Sequence, residues 1–475
     1  MPRFSFVVIA YNVESYIKDC LRSVMAQSLR DIEVVIVDDY STDNTAAIIS
    51  DTIRGDRRCR LVRHNENCGA HIARKSGVAQ THGDYVVFVD GDDRVKPDLC
   101  ERLEEVYQHE SPDILRFCRE VVSPEISQES VRKLEASFNC DTGHRVDNEI
   151  LLSVFSDEYH VRGTWSVIDC SFRGEMLRQS FQQMTNHPIG RMQDSYEFFV
   201  LADAAKSMQV MREYRGLLYS YGTGVSGDNR QSLSRFEKGQ SGIHSSLAAL
   251  LDYANTRDDE VVSQCAGWMR RTALSIVGRD WSGRLPMSEQ IASFKLLRNT
   301  WGDVETAYII AEPLSARARW VWDNGGYPDY ADPMVQWELL FNQLSISDDS
   351  DPLVTEKIRN CRKLCDAVEY REDSRMRNQI LNWRSSDAHM RAIQQATRLE
   401  QIRQSSMRRT LLGRVFTGRI MSHAFAILFP QGSKRRTVVG KIKKAYTVFA
   451  SGAWKGYDMK TLLIKGRSVL QRLSA

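Results

Sequence analysis

The chain has no CxxC pair, no glycine in the turn after its first predicted strand and no Walker-type phosphate loop. The first absence argues against a structural zinc site. Cys361 and Cys365, four apart in a helical-looking stretch, have no partner motif, and the ten scattered cysteines read as reduced cytosolic thiols. The other two absences exclude a dinucleotide-binding fold and a P-loop, since Ile9-Ala10-Tyr11-Asn12-Val13-Glu14 offers no glycine on which a pyrophosphate could sit. No apolar leader precedes the first strand pattern, which begins directly after Arg3, so no signal peptide is expected. Internal repeats and long low-complexity runs are also missing.

What is present is an ordinary globular composition, 42% hydrophobic and 26% charged, over 475 residues. That length exceeds one core and implies two or three domains. The net charge of +3 conceals a division. Residues 401–475 hold 16 Lys and Arg against one acid, Asp458, a net of +15; residues 1–400 hold 48 basic and 60 acidic residues, a net of −12. Such a tail suits an acidic partner.

The first 120 residues alternate strands and helices: strands at 3–10, 32–37, 60–63, 85–90 and 113–118, helices at 13–27, 45–54, 70–81 and 97–109. This order predicts right-handed βαβ units and a parallel sheet. Three strands end in polar clusters: Tyr11-Asn12, Asp38-Asp39 and Asp90-Gly91-Asp92-Asp93. Carboxylates at the carboxyl ends of parallel strands lie where open α/β sheets bind ligands. Three acids around one glycine repel one another unless a cation or donors sit among them. The stretch therefore reads as a metal and diphosphate site.

Taken together, Ser5-Phe-Val-Val-Ile-Ala-Tyr-Asn12, Val37-Asp-Asp-Tyr-Ser-Thr-Asp43, Ala73-Arg-Lys-Ser-Gly77 and Gly83-Asp-Tyr-Val-Val-Phe-Val-Asp-Gly-Asp-Asp93 resemble the family 2 glycosyltransferases in order and spacing, over roughly the first 110 residues. The resemblance implies a GT-A fold, an α/β nucleotide-binding domain with a mainly parallel central sheet, here followed by a mainly helical region. It implies that Tyr11 and the Ile9 backbone line the base pocket and that Asp39 accepts a hydrogen bond from a uracil imide. Asn67 and Arg74 would complete the nucleotide pocket, Asp90 would meet the ribose, and Asp92 would ligate Mn²⁺ or Mg²⁺ bridging the diphosphate. Ile9 departs from the family's usual Pro, and Lys75 from its frequent Asn.

Glycosyl transfer also needs a base for the acceptor hydroxyl. The resemblance places it in a Glu-Asp pair about 100 residues after the acid motif. Asp194, in Arg191-Met-Gln193-Asp194-Ser-Tyr-Glu197, fits that position, with Gln193 replacing the Glu and Glu197 as the understudy one turn later. The bland reading makes Asp194 a residue that merely caps or flanks a helix over 194–204. Gly163-Thr-Trp165 resembles the acceptor-side Trp segment, and Leu217-Leu-Tyr-Ser-Tyr221 the closing strand. The loop Gly222–Arg230 resembles one that closes over the diphosphate, where Arg230 or Arg235 could meet phosphate.

From Gly242 the pattern is helical, with Leu247, Leu250, Leu251 and Ala254, then 261–277 and 288–300; Ser345–Pro352 reads as a loop. The expected organisation is a GT-A domain over 1–240, a helical domain over 241–400 and a basic amphipathic tail over 401–475. In that tail Leu412, Phe416, Ile420, Ala424 and Leu428 recur every four residues, but Arg414, Arg419 and His423 spoil a membrane span. Lys434-Arg-Arg and Lys441-Ile-Lys-Lys444 accompany Val438, Ile442, Tyr446 and Phe449 on one face, which suits an anionic membrane interface. Docking on the protein's own acidic body is the alternative.

The expectation is thus a cytoplasmic inverting glycosyltransferase, peripheral at the inner face of the cell membrane. It would move sugar from a nucleotide donor, a UDP-sugar before a GDP- or dTDP-sugar, to a glycan or lipid-linked acceptor in cell-surface polysaccharide biosynthesis. A membrane-associated scaffold keeping the fold without turnover is the rival; a nucleic-acid role lacks any recognised module.

Overall fold

The computed structural model of the chain describes residues 1–369 apart from 124–125, 141, 160–161, 223–229 and 325–331. These residues fall within a compact unit, Met1–Arg377, and a second unit, Asn378–Ala475, lies outside them.

The chain opens with β1 (Phe4–Ala10), α1 (Ile17–Met25), β2 (Ile32–Asp38), α2 (Thr45–Thr52), β3 (Cys59–Arg63), α3 (Gly69–Val78) and β4 (Tyr85–Asp90). Strands β3, β2, β1 and β4 lie side by side in that order, all parallel. Val7, Val8, Val34, Ile36, Val86 and Val87 are fully buried, as strands covered on both faces must be. Register then fixes the site. Ala10 pairs with Asp38 and Ile9 with Asp90, so the three strands end nearly flush and their polar ends emerge at one sheet edge.

The helix expected over 13–27 begins only at Ile17. Asn12 sits in the left-handed region at φ 52°. The Val13 amide then donates to Thr45 Oγ1 (2.9 Å) and the Glu14 amide to Asp43 Oδ2 (3.2 Å), so 13–16 is held by the loop before α2.

Past β4 come β5 (Arg94–Val95), α4 (Leu99–Tyr107), β6 (Ile114–Val122), α5 (Gln128–Phe138), β7 (Arg145–Val146) and α6 (Asn148–Phe155). Then follow β8 (Cys170–Arg173), α7 (Gly174–Gln183), α8 (Gln193–Ala204) and β9 (Ser207–Ser220). Here the sheet becomes mixed: β8 lies antiparallel between β4 and β6, β9 runs parallel to β6, and β5 and β7 pair antiparallel with β9. Strand β6 outruns its expected end at 118 because two charges inside it are buried, not exposed. Arg116 Nη1 and Arg119 Nη2 reach the two oxygens of Asp169 at 2.7 and 2.5 Å. Burial opposes ionisation of Asp169, but the two guanidiniums outweigh it and hold the carboxyl below its ordinary range. Strand β9 begins ten residues before the expected 217. Its Arg212 and Glu213 are exposed where the pairing with β6 shifts register, and that bulge erases the alternation a strand shows in sequence.

The helical remainder comprises α9 (Leu233–Asn255), α10 (Glu260–Arg284), α11 (Met287–Asp323), α12 (Pro333–Phe341) and α13 (Pro352–Glu369). Ser232 caps α9, Asp259 caps α10 with bonds from the Val261 and Val262 amides, and Asp332 caps α12. Helix α11 breaks at Gly302, φ 79°. The stripe Leu247, Leu250 and Ala254 is buried as core. Phe155 of α6 meets Trp268 of α10 edge-on, and Phe199 of α8 meets Tyr253 of α9, each with centroids 6.4 Å apart. A single apolar core thus runs from the sheet into the helices. The expected boundary near 240 separates two kinds of secondary structure inside one compact unit. Residues 345–351 form the expected loop, where Asp349 receives Arg270 Nη1 at 2.8 Å. None of the ten cysteines is in a disulfide. No helix among the described residues is long and apolar enough to cross a membrane. The basic amphipathic tail expected over 401–475 lies outside the described residues.

Candidate active site

The edge at the carboxyl ends of β1, β2 and β4 is built by two loops tied together. Asn12 and Tyr40 both take positive φ, 52° and 65°, costing on the order of 1 kcal/mol each for side chains other than glycine. Cross-bonds offset that cost: the Asn12 amide donates to Ser41 Oγ (3.0 Å), and the Thr42 amide donates to Asn12 Oδ1 (2.8 Å). Tyr11, beside them, keeps 47% of its surface exposed, leaving a ring for a ligand to cover. Ile9 contributes less than expected of its backbone. Its carbonyl accepts the Gly91 amide at 2.9 Å, and its side chain packs on Val35, Val37 and Ala73.

Asp39 is buried, and its carboxylate is fully engaged. One oxygen accepts from His64 Nδ1 (2.7 Å) and the Cys68 amide (2.9 Å), the other from Asn67 Nδ2 (3.0 Å) and the Gly69 amide (2.7 Å). A carboxylate has about four acceptor positions, so Asp39 first of all fastens the 64–69 loop and the start of α3. A base imide would have to displace one of these donors. Of its two side-chain donors exposed Asn67 is the more exchangeable, since His64 is also held by Ser76 Oγ at 2.9 Å. The ligand atoms of Asp39, His64 and Cys68 lie within 4.8 Å of one another, and these hydrogen bonds account for the grouping.

At the end of β4 the three acids separate. Asp90 is half-buried and takes Arg74 Nη2 at 3.0 Å. Asp93 is buried; one oxygen accepts the Ser220 amide at 2.8 Å, and the other has no hydrogen-bond partner. Burial, then the charges of Asp90 and Asp92, push the Asp93 carboxyl well above its ordinary range. The Asp92 side chain is half-buried, and its carbonyl accepts from Ser220 Oγ at 2.7 Å. Ser220, at the end of β9, therefore props the turn from the far side of the sheet. Nothing in its local sequence marks it for that task.

Arg74 and Glu197 lie elsewhere than a nucleotide pocket or a base would require. The Arg74 guanidinium is 3% exposed and bridges Asp90 Oδ1 and Glu197 Oε2, both at 3.0 Å. It braces the Asp90 end of β4 against α8. Glu197 is fully buried, its second oxygen 2.9 Å from His71 Nδ1, so it is no understudy for an exposed base. His71 Nε2 faces the Thr185 carbonyl at 3.1 Å. His71 was not foreseen, although it lies three residues before Arg74 on the same helical face.

Asp194 stands in the first turn of α8, partly buried, with Oδ1 accepting the Ser195 amide at 3.0 Å. Burial raises its pKa to about 6, with Arg74 pulling it down and Glu197 and Asp90 pushing it up. It does not cap α8, whose cap is Met192 in the left-handed region. A carboxyl titrating near neutrality is the state a general base needs. Trp165 belongs to the packing, stacked on Phe155 at 6.4 Å and 11°. Residues 223–229 of the Gly222–Arg230 loop lie outside the described residues; Arg230 and Arg235 are exposed.

Residues 5–184 match the sequence model of Glycosyl transferase family 2. EpsJ of Bacillus subtilis (strain 168), described as an uncharacterized glycosyltransferase, is 37% identical over 115 residues, 24% of this chain and 33% of its own length. The glycosyltransferase GlyG of Streptococcus pneumoniae serotype 4 is 33% identical over 111 residues, 23% of this chain and 37% of its own. The matched stretches thus span about a third of these relatives. Among solved structures, TarS of S. aureus, residues 1–349 with UDP-GlcNAc, is similar at 17% identity and a TM-score of 0.45, covering 77% of this chain and 91% of that one. The flush strand ends, the acid turn and the matched sequence fall in one segment: residues 5–184, which contain the strand-end edge, are similar to the family 2 glycosyltransferases.

Proposed function

We propose that the chain is an inverting, metal-dependent glycosyltransferase. It would move a sugar from a nucleotide donor, a UDP-sugar by preference, to a hydroxyl of a glycan or lipid-linked saccharide in cell-surface polysaccharide synthesis. The observation that carries this reading is the line Asp90–Arg74–Glu197 (3.0 and 3.0 Å), which fastens the acid turn to the helix bearing Asp194. Asp194 would accept the proton of the acceptor hydroxyl as that oxygen attacks the anomeric carbon opposite the departing diphosphate. Its burial keeps it basic enough near pH 7 to do so.

On the donor side Tyr11 would cover the base, and Asp39 would take the uracil imide in exchange for Asn67. Asp90 would meet the ribose. The acid turn suits a hard divalent cation: its donors are carboxylate oxygens, and one buried oxygen of Asp93 has no hydrogen-bond partner. Asp92 would hold Mn²⁺ or Mg²⁺, which when bound offsets charge on the leaving diphosphate.

A panel of UDP-, GDP- and dTDP-sugars assayed for nucleoside diphosphate release with Mn²⁺ or Mg²⁺ tests the reading. Release from a cognate donor, abolished by chelation, is expected. No release from any common donor would favour the scaffold that keeps the fold without turnover. For residues 401–475 we infer contact with anionic membrane from their net +15. Flotation of the full chain with phosphatidylserine-containing vesicles, lost on removing 401–475, is the expected result; failure of the full chain to float would refute it.

A further inference from the structure

We propose that Glu197 is a positioning residue for transfer, held by Arg74 and His71 so that α8 and its Asp194 stay at a fixed distance from the Asp90 end of β4. The inference rests on the proposed role of Asp194 and adds the device that places it.

Glu197 is the fully buried centre of a line of four groups. His71 Nδ1 lies 2.9 Å from Oε1, Arg74 Nη1 lies 3.0 Å from Oε2, and Arg74 Nη2 continues 3.0 Å to Asp90. A solvent-free ion pair is costly to assemble and returns little stability over an apolar filling, so stability alone is a poor reason for it. Geometry supplies a better one. Three elements meet in the line: α3 gives His71 and Arg74, α8 gives Glu197, and β4 gives Asp90. Helix α8 has eight consecutive buried residues, Ser195 to Ala202, and the directional two-armed anchor adds to that packing a fixed register between α8, α3 and β4.

His71 faces the Thr185 carbonyl through Nε2 and the Glu197 carboxylate through Nδ1, and Arg74 bridges Glu197 and Asp90. The charged groups acting on Asp194 are Arg74 from α3, Glu197 from its own helix and Asp90 from β4. Glu197 acts on Asp194 twice: its reach sets position, and its charge sets basicity.

The two effects separate in two variants assayed with the donor that the panel selects. Glu197→Gln keeps the shape and removes the charge. Its kcat should fall at least tenfold with donor KM changed less than threefold, and the acid limb of the kcat–pH profile should move to lower pH by up to about one unit. Glu197→Asp keeps the charge but cannot span both partners, so kcat should fall while the limb stays in place. Binding of UDP with Mn²⁺, measured by calorimetry, should persist in both. Wild-type kcat in either variant overturns the proposal, as does a lowered kcat in Glu197→Gln with an unmoved limb. If Glu197→Gln does not fold, Glu197→Asp decides alone. Asp194→Asn is the control: activity retained there sinks the base assignment, whereas a dead Asp194→Asn beside normal Glu197 variants sinks only this inference.

Discussion

Replacing Asp194 with Asn should kill transfer and stabilise the protein, with a pH signature tying both effects to one carboxyl. Burial raises Asp194 from its ordinary 3.8 to about 6. Between about pH 4 and 6 the folded state holds a proton that the unfolded chain has released, so wild-type stability falls as pH rises through that window. Above pH 6 the penalty is complete. Two units at about 1.4 kcal/mol each give an upper bound near 3 kcal/mol. Partial exposure and the loss of attraction to Arg74 reduce the expected gain to about 1–3 kcal/mol. Asn carries no such penalty. Urea unfolding at pH 4, 5, 6 and 7 should show the two proteins alike at pH 4 and diverging toward pH 7, with m-values unchanged. Wild-type kcat should lose roughly tenfold between pH 7 and 5, as the ionised fraction drops to about one in ten. Retained transfer in the variant, or a stability difference independent of pH, would refute the reasoning.

Other perturbations read other parts of the structure. Asp92→Asn should raise the Mn²⁺ concentration for half-activation by roughly tenfold or more, seen by metal titration of donor hydrolysis. Asp169→Ala strands the buried Arg116 and Arg119 guanidiniums and should cost about 3–5 kcal/mol in denaturant unfolding. A methyl at Gly278 would stand 2.6 Å from the Ile309 carbonyl oxygen. Gly278→Ala should therefore push α10 from α11 and cost about 1–3 kcal/mol, measured as a lowered Tm.

The sheet was legible in sequence where its chemistry is uniform. Strands β1, β2 and β4 are apolar runs ending in acids, and both features reach the page without a fold. Strand β6 was cut short and β9 mostly missed because their charged residues are buried on Asp169 or thrown out by a bulge. No periodicity marks an arginine that will find a carboxylate fifty residues away. The same limit applies at the site. Asp90, Asp92 and Asp194 stand out by position in a motif. What Arg74 and Glu197 bond to depends on α3 meeting α8 across more than 120 residues, and what Asp39 bonds to depends on the 64–69 loop returning to the end of β2; both are properties of packing. The resemblance places Arg74 in the nucleotide pocket; in three dimensions its guanidinium bridges Asp90 and Glu197.

The shared core between sheet and helices bears on how the chain can be altered. Helix α8 carries Asp194 on one end and lies against α9, while neighbouring α6 lies against α10. The helical region is thus the back wall of the helix that carries Asp194. A chimera joined near residue 240, with its helices taken from a similar chain, would inherit the acid turn intact and an Asp194 resting on foreign support. Donor hydrolysis and acceptor transfer should part company in such hybrids. The unit to keep whole in such hybrids is Met1–Arg377.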